Sequence, residues 1–541
     1  MDALPQPLWY KDAILYQVYV RAFHDSNGDG HGDLRGLTQK LDYIKALGAD
    51  CIWLMPFYPS PLVDDGYDIA DFYAIHPDYG TLEDFKALLD AAHARGLRII
   101  TDLVLNHTSD QHPWFQASRS DPASPYHDYY VWSDTDRKYA EARIIFIDSQ
   151  TSNWTWDPAA SQYFWHRFYP SQPDLNFDNP AVQAEMLHVM KFWLDMGVDG
   201  FRADAVPYLF EREGTNCENL PETHAYLKKL RAMMEQDYPG RILLCEANQW
   251  PEEVRPYFGD GDEFHMGFHF PIMPRIFMDI RKGEAGDMHE ILRRTPPIPE
   301  TCQWCIFLRN HDELTLEMVT EQERQWMWKN YAPQLRMRLN LGIRRRLAPL
   351  LENDRRKIEL ANSILFTLPG SPIIYYGDEL GMGDNIWMHD RNGVRTPMQW
   401  DPTATAGFSS APEASFFSPL IRAEPFSPKQ VNAEEQQQDP DSLWNTIRGM
   451  IEARKAHPAF GRGRFKWLDL HNLHIAPFLR TYKGETILAI HNLDANSQAL
   501  GGDELLPGSF TDILSGRQFN LVRDGLTLAP YEYRWLIKKE S

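Results

Sequence analysis

The chain of 541 residues is long enough for several domains, and its 43% hydrophobic and 24% charged residues are typical of a globular protein with a large core. A net charge of −22 disfavours nucleic acid as a partner, because an acidic surface repels phosphate groups. No run of 18 apolar residues predicts a membrane span, and residues 1–10 lack the basic start and apolar stretch of a secretory signal, so we expect a cytoplasmic location without membrane contact.

Short apolar runs alternate with helical patterns along the chain, as expected for strands buried on both faces of a parallel sheet. The helical segments have clear ends, such as the capping box Thr81-x-x-Asp84 and the pair Asn179-Pro180 before a helix that ends at Gly197. Eight strands that alternate with helices predict an α/β fold, a (β/α)8 TIM barrel. The predicted strands are 13–23, 51–57, 98–106, 200–206, 242–248, 264–270, 305–312 and 372–380.

Directly after the first predicted strand, oxygen-bearing side chains recur at alternate positions with glycines between them. The spacing is close to that of an EF-hand calcium loop, but position 12 is Gly36 where that loop has a bidentate Glu. We therefore predict a structural Ca²⁺ or Mg²⁺ site, the alternative being an Asp- and Gly-rich turn without metal. The candidate ligands are Asp25, Asn27, Asp29, Asp33 and the carbonyl of His31.

Three long segments interrupt the alternation, and each follows the carboxyl end of a predicted strand, which is the active-site face of such barrels. The first is too long for an ordinary loop and predicts an inserted domain. Lid-like insertions are predicted at about 314–360, with a helical and basic stretch at 336–346, and at 382–441. A last helix is predicted near 442–457, and the alternating pattern after it predicts a C-terminal antiparallel β-sandwich. The predicted domains are the barrel (1–106 and 179–460), the inserted domain (107–178) and the C-terminal β domain (461–541).

Five cysteines are too few and too scattered for a disulfide framework. Cys302 and Cys305 have the spacing of a redox pair or half a zinc site, but no second pair accompanies them and an apolar run follows. We expect reduced, buried thiols, which agrees with a reducing compartment.

Aromatic residues make up 13% of the chain, and some of them are mixed with acids and amides, as in 154–157 and 163–166. Flat rings beside polar groups suit a sugar, which has apolar CH faces and a fringe of hydroxyls. The alternative is that these rings belong to a hydrophobic core.

Polar residues cluster where predicted strands end. The third, fourth, fifth and seventh strands end in DLVLNH, GFRADA, EAN and RNHDE. A single acid in such a place is usually solvated or paired in a salt bridge, but a barrel directs all four strand ends into one pocket. Two or three carboxylates that converge with Arg and His are the groups that glycoside chemistry requires.

On these motifs the chain resembles the α-amylase-type glycoside hydrolase superfamily, from residue 9 to its C-terminus. The motifs that carry the resemblance are DLVLNHTS at 102–109, QPDLNF at 172–177, GFRADAV at 200–206, the strand with Glu246, FLRNHDE at 307–313 and RTPMQW at 395–400. The resemblance implies a catalytic barrel, an inserted B domain and a β C-terminal domain. Within the superfamily the chain is most similar to members that interconvert maltose and trehalose by intramolecular glucosyl transfer with weak hydrolysis, which implies a disaccharide substrate.

The resemblance also implies the catalytic residues. Asp204 would be the nucleophile that forms a β-glucosyl-enzyme, and Arg202 would hold it ionised by charge pairing. Glu246 would be the acid/base, so we expect its pKa to be raised by its surroundings. Asp312 would stabilise the oxocarbenium-like transition state. A retaining enzyme needs Asp204 and Glu246 to have carboxyl groups about 5–5.5 Å apart.

Further residues are implied to bind the sugar or to close the pocket. His107 and His311 would bind glucose hydroxyls, and Asp64 with Arg395 suggests a closed-ended pocket for one terminal glucose. Tyr67 and Gln172 match family positions that grip the same ring. The leaving-sugar subsite and its gate are assigned to Arg143, Tyr208, Asn248, Glu313 and Glu317. If that assignment is right, Asn248→Ala should raise the fraction of glucose released.

A second cation site is implied by the resemblance alone. Its ligands would be the side chains of Asn106, Asp174 and Glu211 and the carbonyls of Tyr208 and Leu209. All are oxygen donors, which suits Ca²⁺. The ion would tie the B domain to the barrel beside Asp204. No organic cofactor is expected.

Two alternatives remain at this point. One is an α-glucosidase or oligo-1,6-glucosidase with the same catalytic trio, against which Ala205 speaks because the α-1,6 group more often has Val after the nucleophile. The other is an inactive relative that serves as a transporter subunit or binding module, but the three acids are present and no membrane span is predicted. The sequence leaves open whether the protein is a homo-oligomer.

Overall fold

The computed structural model of the protein describes residues 8–501, 506–521 and 526–538. Residues 1–7, in which no secretory signal is predicted, lie outside the described residues, as do short parts of the predicted C-terminal domain. In the described ranges, no helix combines the length and the apolar character that crossing a bilayer needs.

Eight parallel strands close into a barrel in which each strand is bonded to the next one in the chain and the eighth returns to the first. The first strand pairs with the second from Leu15↔Cys51 to Val18↔Leu54, and with the eighth from Leu15↔Ile373 to Gln17↔Tyr375. The predicted TIM barrel is therefore confirmed. The strands are Leu15–Val18, Cys51–Leu54, Arg98–Val104, Gly200–Asp204, Ile242–Cys245, Met266–Phe268, Gln303–Phe307 and Ser371–Tyr375.

The helices around the barrel begin where the sequence places their caps. Thr81 and Asp84 form the reciprocal capping box, Asn179 caps the helix that ends at Gly197, and Ser442 caps the last barrel helix. These confirmed ends fix how each helix returns the chain to the next strand. The helices that connect the barrel strands are Leu34–Gln39, Leu41–Leu47, Leu82–Ala94, Pro180–Met196, Pro221–Asp237, Ile272–Lys282, Gly286–Arg294, Arg355–Thr367 and Leu443–Ala456.

The first predicted strand is wrong in its second half. After Val18, where the pairing with the second strand ends opposite Leu54, the chain turns into the short helix Val20–Phe23. An apolar run of this kind does not distinguish strand from helix by itself. The remaining α-helices are Pro113–Ser120, Pro251–Val254, Glu321–Tyr331, Leu347–Leu350, Ala433–Gln438 and Ala459–Arg462.

The segment between the third and fourth barrel strands carries its own small sheet, with strands Trp132–Ser133, Trp154–Asp157 and Gln162–Trp165. Trp154 and Trp165 are buried and meet edge to face at 5.0 Å in a small core with Ala142 and Cys217. The idea that this ring cluster binds sugar is wrong for these two residues, because their faces are used in packing.

The insertion after the seventh barrel strand is a lid of a different kind from the one predicted. The basic stretch 336–346 is helical only at its start, in the 3-10 helix Leu335–Met337. Beyond it, Arg338–Leu339 and Gly342–Ile343 form a hairpin that also pairs with Leu314–Thr315. Its side chains have bonding partners outside the stretch: Arg344, for example, donates to backbone carbonyls of the insertion after the eighth strand. Those tertiary contacts outweigh the helical propensity of the stretch.

The C-terminal domain is antiparallel, as predicted. Its larger sheet has the order Arg464–Trp467, Ile475–Tyr482, Glu485–Asn492, Tyr533–Lys538, Gly508–Asp512 and Gln518–Leu521, and a smaller one joins Gln498–Ala499 to Thr527–Leu528. Apolar side chains of both sheets, such as Leu488 and Leu528, share one core. Trp535 bonds Ser363 on a barrel helix at 2.8 Å, which anchors this domain away from the strand ends.

All five cysteines are buried and free, as expected from their spacing. Cys302 and Cys305 lie at and within the seventh barrel strand, so neither is available as a surface thiol.

Candidate active site

Three acids meet in a pocket at the carboxyl ends of the barrel strands. Asp204 is the last residue of the fourth strand, Glu246 follows the fifth directly, and Asp312 follows the seventh. Parallel strands of a closed barrel end at one rim, so residues far apart in sequence become neighbours there.

Arg202 clamps the acids from within the barrel. Its Nη1 lies 2.5 Å from Asp204 Oδ1 and 2.6 Å from Asp102 Oδ1, and its Nη2 pairs with Glu246. A single planar guanidinium therefore bonds the nucleophile candidate and the acid/base candidate at once. Arg202 is itself buried against the faces of Trp53 and Tyr67.

Burial separates the protonation behaviour of the two reacting acids. It raises the pKa of Glu246 to about 8, which the nearby Asp204 and Asp312 reinforce and Arg202 opposes. Burial also raises the pKa of Asp204, to about 6, with Arg202 opposing. At pH 7 the first is then mainly protonated and the second mainly ionised, as a general acid and a nucleophile require. The expected rise in the pKa of Glu246 is confirmed.

Asp312 stays ionised for a different reason. Burial alone would raise its pKa, but His311, Arg391 and Arg395 outweigh that effect and hold the pKa below its usual range. Nε2 of His311 lies 3.1 Å from Asp312 Oδ2, while Gln17 Nε2 contacts Nδ1 at 2.7 Å, which assigns the ring proton to Nε2. Asp312 is therefore a fixed negative charge, suited to a developing positive charge on a sugar.

The backbone is strained immediately after Asp204. Ala205 has φ 53°, a left-handed conformation that costs a non-glycine residue about 1 kcal/mol. The turn directs the N–H of Ala205 towards Glu246 Oε2, at 3.3 Å. The strain thus brings the acid/base beside the nucleophile.

The inner end of the pocket is closed by a residue that the sequence reasoning missed. Arg391 pairs with Asp64 at 2.7 Å and with Asp312 at 2.9 Å. Arg395, which with Asp64 was predicted to close this end, pairs with Asp65 and, at 3.1 Å, with Asp312. Arg391 lies four residues before the recognised motif at 395, but only the fold directs its side chain to Asp64.

The other predicted sugar-binding residues lie together at this inner end. Gln172 donates to Asp64 at 3.0 Å and lies 3.3 Å from His107 Nε2, and Tyr67 stacks on His311 with their polar atoms 2.7 Å apart. Burial lowers the pKa of His107 to about 3, so its ring is neutral and can either donate or accept.

The outer end of the pocket is bounded by an ionic network. Arg143, from the inserted domain, bonds Glu317 at 2.7 Å and the Tyr208 hydroxyl at 3.1 Å. Its Nε bonds Glu218 at 2.8 Å, a contact that the sequence did not indicate. The predicted gate residues Arg143, Tyr208 and Glu317 are thus in contact.

The hairpin of the first lid insertion lies over this end. Asn248 donates to Thr315 at 3.0 Å, and Asn340 at the hairpin tip bonds Glu313 at 3.2 Å and Asp148 of the inserted domain at 2.7 Å. A Cβ on Gly342 would lie 2.5 Å from the side chain of Glu313, so the hairpin approaches closely only with glycine there. The insertion therefore links the inserted domain to the catalytic rim.

The loop 25–33 keeps its polar groups for itself. Asp25 accepts N–H bonds from Asn27, Gly28 and Gly30 and a bond from Ser409, and Asp33 accepts from Ser26 and Gly36. No oxygen of this loop is among the buried side-chain atoms that lack a partner in the described residues. Nothing in the arrangement of this loop calls for a cation, and the metal there remains a prediction.

The second predicted cation site has a different character. Asn106 Oδ1, Asp174 Oδ2 and Glu211 Oε1 are buried without a hydrogen-bond partner. Burial raises the pKa of Asp174 to about 8 and that of Glu211 well above its usual range, and Asp174 adds to the effect on Glu211. Buried oxygens of this kind need a donor or a cation, so these residues fit a hard metal ion. Over the described residues, no group of three or more His, Cys, Asp and Glu side chains suits a metal, so such an ion needs Asn106 and carbonyls as well.

Comparison with known proteins agrees with this architecture. Residues 17–463 match the family model of the alpha amylase catalytic domain, and 465–535 match the maltogenic amylase C-terminal domain. The trehalose synthase/amylase of Mycolicibacterium smegmatis is 58% identical over 505 residues, which cover 91% of this chain and 85% of that protein. Other bacterial proteins named trehalose synthase, alone or with amylase, are 55–57% identical.

More distant similarity extends to other activities. The oligo-1,6-glucosidase of Parageobacillus thermoglucosidasius is 30% identical over 547 residues, with 90% of each chain covered. Among solved structures, the trehalulose synthase of Pseudomonas mesoacidophila MX-45 superposes with a TM-score of 0.80 at 28% identity, covering 98% of this chain and 99% of that one.

Proposed function

The chain belongs to the alpha-amylase family, and from that premise we propose that it interconverts maltose and trehalose by intramolecular glucosyl transfer. Its relatives named trehalose synthase, at 55–58% identity over most of the chain, support this choice of reaction. The substrate is then a disaccharide, and its non-reducing glucose occupies the inner end of the pocket, between Asp64 and Asp204.

The first half of the reaction cleaves maltose. Asp204 attacks the anomeric carbon of the non-reducing glucose while Glu246 gives its proton to the glycosidic oxygen. The bond from that carbon to the oxygen breaks, a β-glucosyl ester forms on Asp204, and free glucose is the leaving group. The ionised Asp312 faces the positive charge that develops on the ring.

The second half rejoins the two sugars. The freed glucose turns in the pocket until its anomeric hydroxyl faces the ester carbon. Glu246, now ionised, takes the proton of that hydroxyl, the hydroxyl oxygen attacks, and the ester bond to Asp204 breaks. Two inversions retain the α configuration of the transferred carbon, and attack by the anomeric hydroxyl of the α-anomer of the freed glucose gives the α,α-linkage of trehalose. Water in place of glucose would give hydrolysis instead.

The observation that carries the proposal is that ionic contacts bound the pocket at both ends. Arg391 bridges Asp64 and Asp312 at the inner end, and Arg143 bridges the inserted domain to Glu317 at the outer end. The contacts at the outer end would retain a freed glucose and limit the entry of water, which transfer within one pocket requires. Those at the inner end would hold the ring that is transferred. An open cleft would favour hydrolysis.

The test is incubation of the purified enzyme with maltose in the presence of ¹³C-labelled free glucose, with the products resolved by chromatography and mass spectrometry. Trehalose as the main product, with little label, supports transfer within one pocket. Heavily labelled trehalose would mean that glucose exchanges with solvent, and glucose alone would reject the proposal. Asp204→Asn serves as the inactive control.

An α-glucosidase or oligo-1,6-glucosidase is the second candidate, because the same trio would serve hydrolysis and the Parageobacillus relative has that name. The glucose-only outcome of the same incubation would favour it. Incubation with isomaltose then separates the two, since an oligo-1,6-glucosidase cleaves the α-1,6 bond.

We further propose that Ca²⁺ binds the side chains of Asn106, Asp174 and Glu211 with the carbonyls of Tyr208 and Leu209, and that the ion neutralises two buried carboxylates there. Exhaustive chelation should lower the melting temperature, and Ca²⁺ should restore it, because ligand binding to the folded state stabilises it. Calorimetry on Asp174→Asn, with Asp134→Asn as the surface control, assigns the site. Heat of binding that persists unchanged in Asp174→Asn would contradict it.

Three further features remain predictions: a Ca²⁺ or Mg²⁺ ion in the loop 25–33, a cytoplasmic location and a homo-oligomer.

A further inference from the structure

Glu218 is a buried carboxylate beside the outer end of the pocket, and it has three hydrogen-bond partners. Glu218 Oε1 accepts from Arg143 Nε at 2.8 Å and from Arg167 Nη2 at 2.9 Å. Its Oε2 accepts from Gln249 at 3.4 Å. Glu218 is only 9% exposed, so these contacts form in a water-poor setting where charge pairs are strong.

The three partners of Glu218 come from separate parts of the fold. Arg143 and Arg167 belong to the inserted domain, whereas Gln249 lies in the loop that follows the fifth barrel strand, three residues after Glu246. Glu218 itself lies before the helix Pro221–Asp237 of the barrel. One side chain therefore ties the inserted domain to the acid/base loop.

Arg167 makes this tie hard to replace. Its side chain is buried, its Nε and Nη1 have no hydrogen-bond partner among the described residues, and its guanidinium lies 4.7 Å from the ring of Tyr208. Glu218 is its ion-pair partner. Without the Glu218 carboxylate, the buried guanidinium of Arg167 would lack its ion-pair partner and would bond to another acceptor within reach. Arg143 would lose its Nε contact at the same time.

Glu218 does not line the pocket, whereas Tyr208 and Glu317, which Arg143 also bonds, do. Arg143 is likewise absent from the lining, so Glu218 can act on a bound sugar through Arg143 and then through the lining residues Glu317 and Tyr208. Arg143 has three directed contacts, to Glu218, Glu317 and the Tyr208 hydroxyl, and the first of them fixes the plane of the guanidinium.

We propose that Glu218 is a positioning residue that sets the ratio of glucosyl transfer to hydrolysis, by holding Arg143 against Glu317 and Tyr208, which line the outer end of the pocket. This inference rests on the proposed isomerase function. Without the Glu218 carboxylate, Arg143 can leave Glu317 and Tyr208, so water enters during the lifetime of the glucosyl-enzyme and the freed glucose escapes.

The test compares the wild-type enzyme with Glu218→Gln on maltose, measuring trehalose and free glucose together. The substitution keeps the shape and removes the charge. We expect the glucose fraction to rise about three- to tenfold, the loss typical of one net hydrogen bond, while maltose consumption falls less. The matched control is Glu222→Gln, four residues on, where an exposed Glu pairs with Arg212; its product ratio should not change.

A second measurement separates positioning from a merely structural role. Hydrolysis of an aryl α-glucoside uses the inner end and Glu246 but no retained sugar, so its kcat should stay within about twofold of wild type in Glu218→Gln. A loss of this activity in step with a lowered melting temperature would overturn the proposal, because the variant would then simply be damaged.

A double-mutant comparison tests whether Glu218 acts through Arg143. In the Arg143→Ala background, Glu218→Gln should leave the glucose fraction unchanged, since the residue that it holds is absent. Additive effects would contradict the proposal. If the wild-type enzyme yields glucose alone, the proposed function fails; if it yields trehalose and Glu218→Gln has the wild-type ratio, this inference alone fails.

Discussion

The two ends of the pocket are built in different ways. At the inner end, Asp204 and Glu246 extend from neighbouring barrel strands that are bonded in register, so the backbone itself fixes their spacing. At the outer end, Arg143 and Asn340 belong to insertions, and side-chain contacts to Glu218, Glu317 and Glu313 hold them.

The rigid inner end suits the reaction steps, and the movable outer end suits the retention of the substrate. A rigid sheet edge holds reacting groups within the narrow tolerance that a covalent step requires. Inserted segments joined by ion pairs can part and close again, which a site that admits a disaccharide and then excludes water must do. Changes at the inner end should therefore reduce the rate, and changes at the outer end should alter the products.

The largest effect is expected at the nucleophile. Asp204→Asn should lower kcat on maltose by about 10⁵-fold or more, because the covalent intermediate no longer forms. Initial rates by chromatography measure it, and thermal melting checks the fold. A residual rate above about 1% of wild type would mean that another group attacks the sugar.

The acid/base gives the next largest effect. Glu246→Gln should lower kcat/KM on maltose by about 10²- to 10⁴-fold. On an aryl α-glucoside, whose leaving group needs no proton, kcat/KM should fall much less, whereas kcat should still fall because hydrolysis of the ester needs Glu246 as the base. In the wild type, kcat/KM should rise with pH as Asp204 ionises near pH 6 and fall as Glu246 loses its proton near pH 8. An upper limb that survives in Glu246→Gln would assign that titration to another group.

Arg391 tests the closure of the inner end. Arg391→Lys keeps the charge but cannot bridge Asp64 and Asp312 with a planar fork, so kcat/KM should fall by about 10- to 100-fold. Arg422→Lys, an exposed pair with Glu413, is the control and should change nothing. An unchanged product ratio with a lower kcat/KM fits the division between the two ends; a raised glucose fraction would break it.

Asn340 should give the smallest effect and only on the products. Its φ of 48° suits glycine, so Asn340→Gly removes the contact with Glu313 without backbone strain. The glucose fraction should rise about two- to fivefold, the loss of one weak net hydrogen bond at the hairpin tip. Asn330→Ala, on the helix of the same insertion, is the control. A change in kcat without a change in products would place this hairpin in the catalytic step.

Sequence reasoning went furthest where local physics decides the outcome. Strand-length apolar runs, the caps at Thr81, Asn179 and Ser442 and the polar strand ends were each readable from neighbouring residues, because caps and strand periodicity depend on short-range contacts. It failed at 336–346, where a helical composition forms a hairpin, and at the rings of Trp154 and Trp165, which pack on each other.

The partners of charged side chains were the least predictable feature. The motif at 395 marked Arg395 as a residue of the closed end, but it did not indicate that Arg391, four residues earlier, pairs with Asp64 while Arg395 pairs with Asp65. Nothing near Glu218 marks it as the partner of two arginines from another domain. Such pairings depend on how insertions fold back over the barrel, which the spacing of residues in the chain does not encode.

The sequence by itself determined the barrel, the strand ends that carry Asp204, Glu246 and Asp312, and the family to which they belong. Only the tertiary structure decided that burial raises the pKa of Glu246 to about 8, while His311, Arg391 and Arg395 keep Asp312 ionised. It also decided that Glu218 joins Arg143 and Arg167 at the outer end of the pocket. The physical reason is that patterns along a chain are set by contacts a few residues apart, whereas burial and charge pairing are summed over every segment that surrounds a group in space.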